Sequence, residues 1–262
     1  MIRKPAVAGM FYPDNPETLT TEVKGFIEAA NPTKKQLNLK GVIVPHAGYI
    51  YSGPIAGTAY RLLQEQVHPE KYQNVFILAP SHHAYIEASV GNYESYETPL
   101  GQAKVNKEIC NQLEKNIPFI PEAHEREHSL EVQLPFLIES LKDFQIVPIL
   151  LGEPSLDKMA ELLDPYFNDE NNLFIVSSDL SHYLPYEQAN RTDKKTLEII
   201  TSLNIAQERE IDACGQAGIK IMMRLAKNSG YKIDLLDYRN SGDTAGDKTG
   251  VVGYGALAIY KE

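Results

Sequence analysis

Four apolar runs punctuate the chain, and each ends on a polar or histidine-bearing tag. They are G-V-I-V-P-His46, V-F-I-L-A-P-S-His82-His83, Q-I-V-P-I-L-L-Gly152 and L-F-I-V-S-S-Asp179-L-S-His182. Val, Ile, Leu and Phe follow one another in these runs without polar alternation, which predicts strands buried on both faces. The strands fall at 42–45, 74–79, 145–151 and 172–178. Asn15-Pro16-Glu17 predicts a helix start, with Asn as cap and Pro in the first turn. That helix runs to Ala30 and stops before Asn31-Pro32. Helical patterning follows at 54–66, 106–115, 129–142 (kinked at Pro135), 155–167, 186–202 and 207–228. Residues 86–98, 232–239 and 250–260 read as further strands. Strand alternating with helix predicts an α/β fold, a three-layer α/β/α sandwich with a largely parallel central sheet. No repeat, low-complexity tract or linker-like shift divides the 262 residues, so residues 1–262 read as a single domain.

Composition narrows the partners. Hydrophobic residues make up 43% of the chain, enough for a substantial core. Lys and Arg total 25 against 35 Asp and Glu, a net charge of −10, which argues against nucleic acid or an anionic membrane. Two cysteines far apart, Cys110 and Cys214, fit a reducing cytoplasm. The first residues are basic but lack the apolar core of a signal peptide, and no apolar stretch approaches the ~20 residues that span a bilayer.

Ligands of open α/β sheets bind beyond the carboxyl ends of the strands. His46, His82, His83, Asp179 and His182 all sit at such ends, on three separate segments. His46 alone would read equally as a loop histidine bonded to backbone. Adjacent His82 and His83 can point apart, one to a metal and one to a substrate. Asp179 lies three residues before His182 and can orient it or raise its basicity, or can cap a following helix. His124-Glu125-Arg126-Glu127-His128 matches H-E-x-x-H, the zinc peptidase spacing. Pro118, Pro121 and the density of charge predict instead an exposed loop there, with His128 alone facing the cleft. Gly242 to Thr249 falls short of a phosphate loop. Asp247 stands where Gly must precede Lys248, and a strand follows where a helix is needed. What remains is a turn carrying Asp243 and Thr244 to the sheet edge. Cys110 reads as core; Cys214 reads as structural, with a reactive thiol as the alternative. No G-x-S-x-G elbow is present.

Taken in order, A-G-M-F-Y-P, V-P-H-A-G-Y-I-Y-S-G, A-P-S-H-H, E-H-S-L-E-V-Q-L-P-F, S-S-D-L-S-H-Y and N-S-G-D span essentially the whole chain. They resemble the Memo-like proteins, called AmmeMemoRadiSam system protein B in prokaryotes. The resemblance implies a fold similar to the B subunit of class III extradiol dioxygenases, in which two histidines and a carboxylate hold non-haem iron. It makes His46 and His82 metal ligands, places His182 for acid–base work beside Asp179, and puts His128 in the same pocket; His83, as the other member of the pair, reads as the substrate-facing one. Tyr49, Tyr51 and Tyr183 would wall the cleft. The third ligand departs from the pattern. Animal Memo proteins carry a cysteine where this chain has Thr244, and the dioxygenases carry a glutamate. Asp243, Asp179 or His182 would then have to complete the site. The implied function is binding of iron or copper, with a redox reaction on a small molecule. The alternative is a non-catalytic scaffold for a small molecule or peptide. The family's other name implies radical SAM and AMMECR-type partners.

Overall fold

A computed structural model describes residues 1–32, 37–66 and 68–261. A short strand β1 (Ile2–Arg3) precedes α1 (Pro16–Ala29), whose Asn15 side chain accepts from Thr18 N as the sequence predicts. Leu19, Val23 and Ile27 recur every fourth residue and form its buried stripe. Strand β2 (Asn38–Val44) leads into α2 (Tyr49–Gln64). This helix starts five residues before the expected 54, so Pro54 lies inside it and one backbone hydrogen bond is forgone.

Next come β3 (Asn74–Pro80), β4 (Ala88–Val90), β5 (Ser95–Thr98) and β6 (Gly101–Lys104). The single strand expected over 86–98 is thus two strands, which join different sheets. Short helices α3 (Lys107–Leu113), α4 (Pro121–Glu125) and α5 (Leu134–Ser140) follow. Pro135 stands in the first turn of α5, after a 3-10 turn over Glu131–Gln133, and so begins a helix instead of kinking one. The second half comprises β7 (Gln145–Leu151), α6 (Leu156–Phe167), β8 (Asn172–Ser177), α7 (Tyr186–Thr201), α8 (Gln216–Ser229), β9 (Lys232–Asn240), α9 (Ser241–Thr244) and β10 (Gly253–Lys261). The helix expected over 207–228 divides into a 3-10 segment, Ile205–Glu210, and α8.

The main sheet has seven strands in the order β4-β7-β3-β8-β2-β10-β9. Only β7, β3, β8 and β2 run parallel; β4 pairs antiparallel with β7, and β10 antiparallel with both β2 and β9. The sheet is therefore mixed, not largely parallel. The parallel strands are joined through helices, β2 to β3 through α2 and β7 to β8 through α6, whereas β9 turns back over residues 241–252 to pair antiparallel with β10. β1, β5 and β6 form a separate small sheet.

Every residue of β8 is buried, as is all but the first of β2, β3 and β7. Side chains alternate faces along a strand, so both faces of this central part are covered. α2 packs on β2, β9 and β10 and against α1 and α5; α6 and α8 pack on each other and on β8, and α7 on β9 and β10. Gly41 allows β2 to lie close on β8, since a Cβ there would fall 2.4 Å from Phe174 O. The parallel register aligns Val44 with Ser177 and Leu78 with Val176. The residues that follow β2, β3 and β8 consequently leave the sheet along one edge. Among the described residues, no helix is long and apolar enough to cross a membrane.

Candidate metal centre

His46 lies two residues beyond β2 and is 2% exposed. Its backbone N–H donates to Asp179 Oδ1 at 2.8 Å, which fixes the turn. Its ring Nδ1 is 2.9 Å from Ser177 Oγ. That hydroxyl already donates to Ser129 O at 2.6 Å and accepts from Gln133 Nε2 at 2.8 Å. Its one proton is used, so it must accept from His46, and Nδ1 carries the imidazole proton. Nε2 of His46 is left with a lone pair.

His82 lies two residues beyond β3. Its backbone N–H donates to Glu127 Oε2 at 2.5 Å, and its Nδ1 is 2.9 Å from Glu127 Oε1. Glu127 also accepts from Ser129 N at 3.0 Å, and His128 Nδ1 lies 3.5 Å from the same carboxylate. A carboxylate facing Nδ1 leaves Nε2 of His82 as the free donor nitrogen, the arrangement that orients metal-binding imidazoles in general.

The three rings converge. Centroids lie 4.8 Å apart for His82 and His128, 5.3 Å for His46 and His82, and 5.5 Å for His46 and His128. One ligand atom from each of the three falls within 4.8 Å of the others. Burial, then the neighbouring His82 and His128, holds the His46 pKa well below its ordinary value. Burial likewise pushes His128 down to about 4. Burial alone would raise the Glu127 pKa, but its bonds from His82 and Ser129 outweigh this and hold it well below the usual carboxylate range. At neutral pH His46 and His128 are uncharged beside an ionised Glu127. Neutral imidazoles with nitrogens gathered this closely are a donor set that iron, copper and zinc accept.

Asp179 is buried, and burial raises its carboxyl to about 6, against the opposing bond from the His46 N–H. His182, His83 and Tyr183 are exposed, with the His83 ring 6.2 Å from that of His128. Tyr51 is partly exposed, whereas Tyr49 is not a wall of the cleft. Tyr49 is 1% exposed, stacks among Tyr12, Phe26 and Phe136, and donates its hydroxyl to Val132 O at 2.7 Å. Its apolar ring follows the inner face of α2 into the core.

Asp243 lies outside the histidine group. Its carboxylate closes a capping box with the Asn240 N–H at 3.0 Å and accepts from Tyr186 OH, at the start of α7, at 2.7 Å, so both oxygens are engaged. Thr244 ends that helix, with a buried hydroxyl that has no hydrogen-bond partner. The group able to hold a metal has His128 as its third member, a residue the sequence placed beside the substrate.

Two residues of the site escaped the sequence reading. Glu127 sat in a stretch read as exposed loop, yet its side chain is 1% exposed. Cys214, read as structural, places Sγ 3.2 Å from His46 Nε2 and accepts from Asp179 N at 3.2 Å. Burial pushes its thiol up to about 12. The signal for Glu127 was its position next to His128. Nothing near Cys214 in sequence announced its neighbours.

His124 has no part in the cluster. Its ring lies between Tyr96 OH at 2.9 Å and Ser89 Oγ at 3.1 Å, and burial pushes it down to about 3. The H-E-x-x-H spacing therefore does not build one metal face, because α4 ends at Glu125 and the two histidines diverge. Buried Arg3 locks this region. It pairs with Glu131 and donates to His124 O at 3.1 Å and to Glu127 O at 2.5 Å. Glu131 also accepts from Ala6 N at 2.8 Å, Val7 N at 3.1 Å and Tyr12 OH at 2.6 Å.

Fold and cluster together define a mixed α/β protein with a group of three histidines able to hold a metal ion, two of them just beyond strand ends and the third, His128, between α4 and the 3-10 turn. The Memo-like protein family model matches residues 3–258. The MEMO1 family protein of Methanobrevibacter smithii is 38% identical to this chain, covering 100% of both. That of Thermoplasma volcanium is 36% identical, also over 100% of both, and that of Caldivirga maquilingensis 34% over 99% of each. The chain belongs to the Memo-like family.

Proposed function

We propose that His46, His82 and His128 bind a transition metal, iron or copper, at the edge of a dioxygenase-like sheet, and that the centre serves a redox reaction on a small molecule. The observation that carries this reading is the convergence of three donor nitrogens within 4.8 Å. Two of the rings are set with Nδ1 against Ser177 or Glu127. A cavity of about 510 Å³ adjoins the cluster and is lined in part by His82, Tyr85, Ile86, Pro154 and Cys214. It offers room for a small ligand beside the open side of the centre. A bound iron or copper would supply electron transfer and Lewis acidity there. The chain's own residues would do the rest. Glu127 fixes His82, and Asp179 fixes the His46 turn. His182, exposed three residues after Asp179, would carry a proton to and from water.

The test is the metal content of protein purified without chelator or histidine tag, measured by elemental mass spectrometry. Wild type is compared with His46→Ala/His82→Ala and with His128→Ala. Near-stoichiometric iron or copper in wild type, lost in the variants, supports the reading. No metal in wild type, even after anaerobic reconstitution with ferrous iron, overturns it and leaves a ligand-binding scaffold.

A further inference from the structure

We propose that Cys214 is a fourth donor of this centre and binds the metal as a thiolate, so that the ligand set is three imidazoles and one sulfur. The inference rests on the metal reading above and adds a residue to it. The thiol lies beside the three-histidine group and touches one of its members, with Sγ 3.2 Å from Nε2 of His46. With Nδ1 of His46 protonated against Ser177, that Nε2 holds a lone pair, and the S–H is the donor between them. The thiol proton therefore lies near the nitrogen–sulfur line, and a metal ion held by both atoms would sit to one side of that line once the proton has left.

The separation has the right size. Metal–nitrogen bonds of ~2.05 Å and metal–sulfur bonds of ~2.3 Å put N and S about 3.5 Å apart at a tetrahedral angle and about 3.1 Å apart at a right angle. The observed 3.2 Å lies between these values. The sulfur is also held in place. Asp179 N–H donates to Sγ, and the Cys214 N–H donates to Asp179 O at 3.2 Å. Close approach of the next residue makes this possible, since a Cβ on Gly215 would fall 2.5 Å from Ser177 O. Cys214 and His82 line the same cavity, so both face the side from which a metal would enter.

On binding, the metal–sulfur bond replaces the S–H bond and the proton leaves to solvent, with no change of oxidation state. Soft sulfur shifts preference toward copper and zinc relative to an all-nitrogen site.

Cobalt(II), added to metal-free protein, reports the donor directly. Wild type is expected to show a near-ultraviolet thiolate-to-cobalt charge-transfer band, and to release one more proton per cobalt than Cys214→Ser does. Cys214→Ser is expected to lose the band and keep visible ligand-field absorption from the histidines. Wild-type ligand-field absorption without a charge-transfer band would overturn the thiolate and leave the three-histidine site standing. A charge-transfer band that survives in Cys214→Ser would also overturn it. No cobalt absorption of any kind in wild type would sink the metal reading itself, and this ligand with it.

Discussion

Glu127→Gln isolates the device that aims His82. Both oxygens of Glu127 accept hydrogen bonds, Oε2 from the His82 backbone and Oε1 from His82 Nδ1 and Ser129 N. A glutamine of the same shape must place its NH₂ where one of those oxygens was. In one orientation it faces the His82 backbone N–H. In the other it faces Ser129 N–H and His82 Nδ1, and that imidazole can then accept only by moving its proton to Nε2, the nitrogen proposed to hold the metal. Either way a buried donor meets a donor, and a charge-assisted bond worth ~1.5–3 kcal/mol is lost. At ~1.4 kcal/mol per tenfold, metal affinity should fall about 10–100-fold, the range typical of residues that orient a metal-binding histidine. Competition titration of cobalt(II) against a chelator reads the affinity, and far-ultraviolet circular dichroism verifies the fold. A folded Glu127→Gln protein binding within twofold of wild type would refute both the tautomer assignment and the orienting role.

Arg3→Ala should destabilise the fold by about 3–5 kcal/mol in urea unfolding, because it leaves Glu131 charged and buried without its cation; a loss under ~1 kcal/mol would refute the pairing. Burial lowers Lys40 from 10.5 to about 8, although its ammonium donates to Asp169 O and Asn172 O. Below pH 8 the folded state bears the full cost of this buried charge, and above pH 10.5 neither state is charged. Stability relative to Lys40→Met should therefore rise between pH 8 and 10.5, by ~3 kcal/mol at most, and a flat difference across that window would exclude the shift.

The parallel heart of the sheet was legible because burial on both faces writes itself as unbroken apolar runs, and the run ends located His46, His82 and Asp179. Pairing direction was not legible. Nothing local in β4, β9 or β10 distinguishes an antiparallel edge from a parallel one, since the neighbour is set by distant chain. The 124–131 segment misled for a different reason. Its charges up to His128 suggested solvent, yet Glu127 is buried because His82 and backbone N–H groups satisfy it. Charge in sequence reports exposure only when no partner waits elsewhere in the chain. Cys214 shows the same limit, since its meaning depends on a histidine 168 positions away.

The Arg3–Glu131 pair joins residues 128 positions apart, and this bears on how the protein comes into being. During synthesis, His46 and His82 emerge long before Glu127 and Glu131, and Cys214 later still. A nascent chain paused between them carries exposed imidazoles with no carboxylate to aim them and no wall to exclude competing ions. Closing so long a loop is slow relative to forming the local helices. The centre should therefore be among the last parts to set, and metal supplied to the finished protein should load more faithfully than metal present while the chain is still being made.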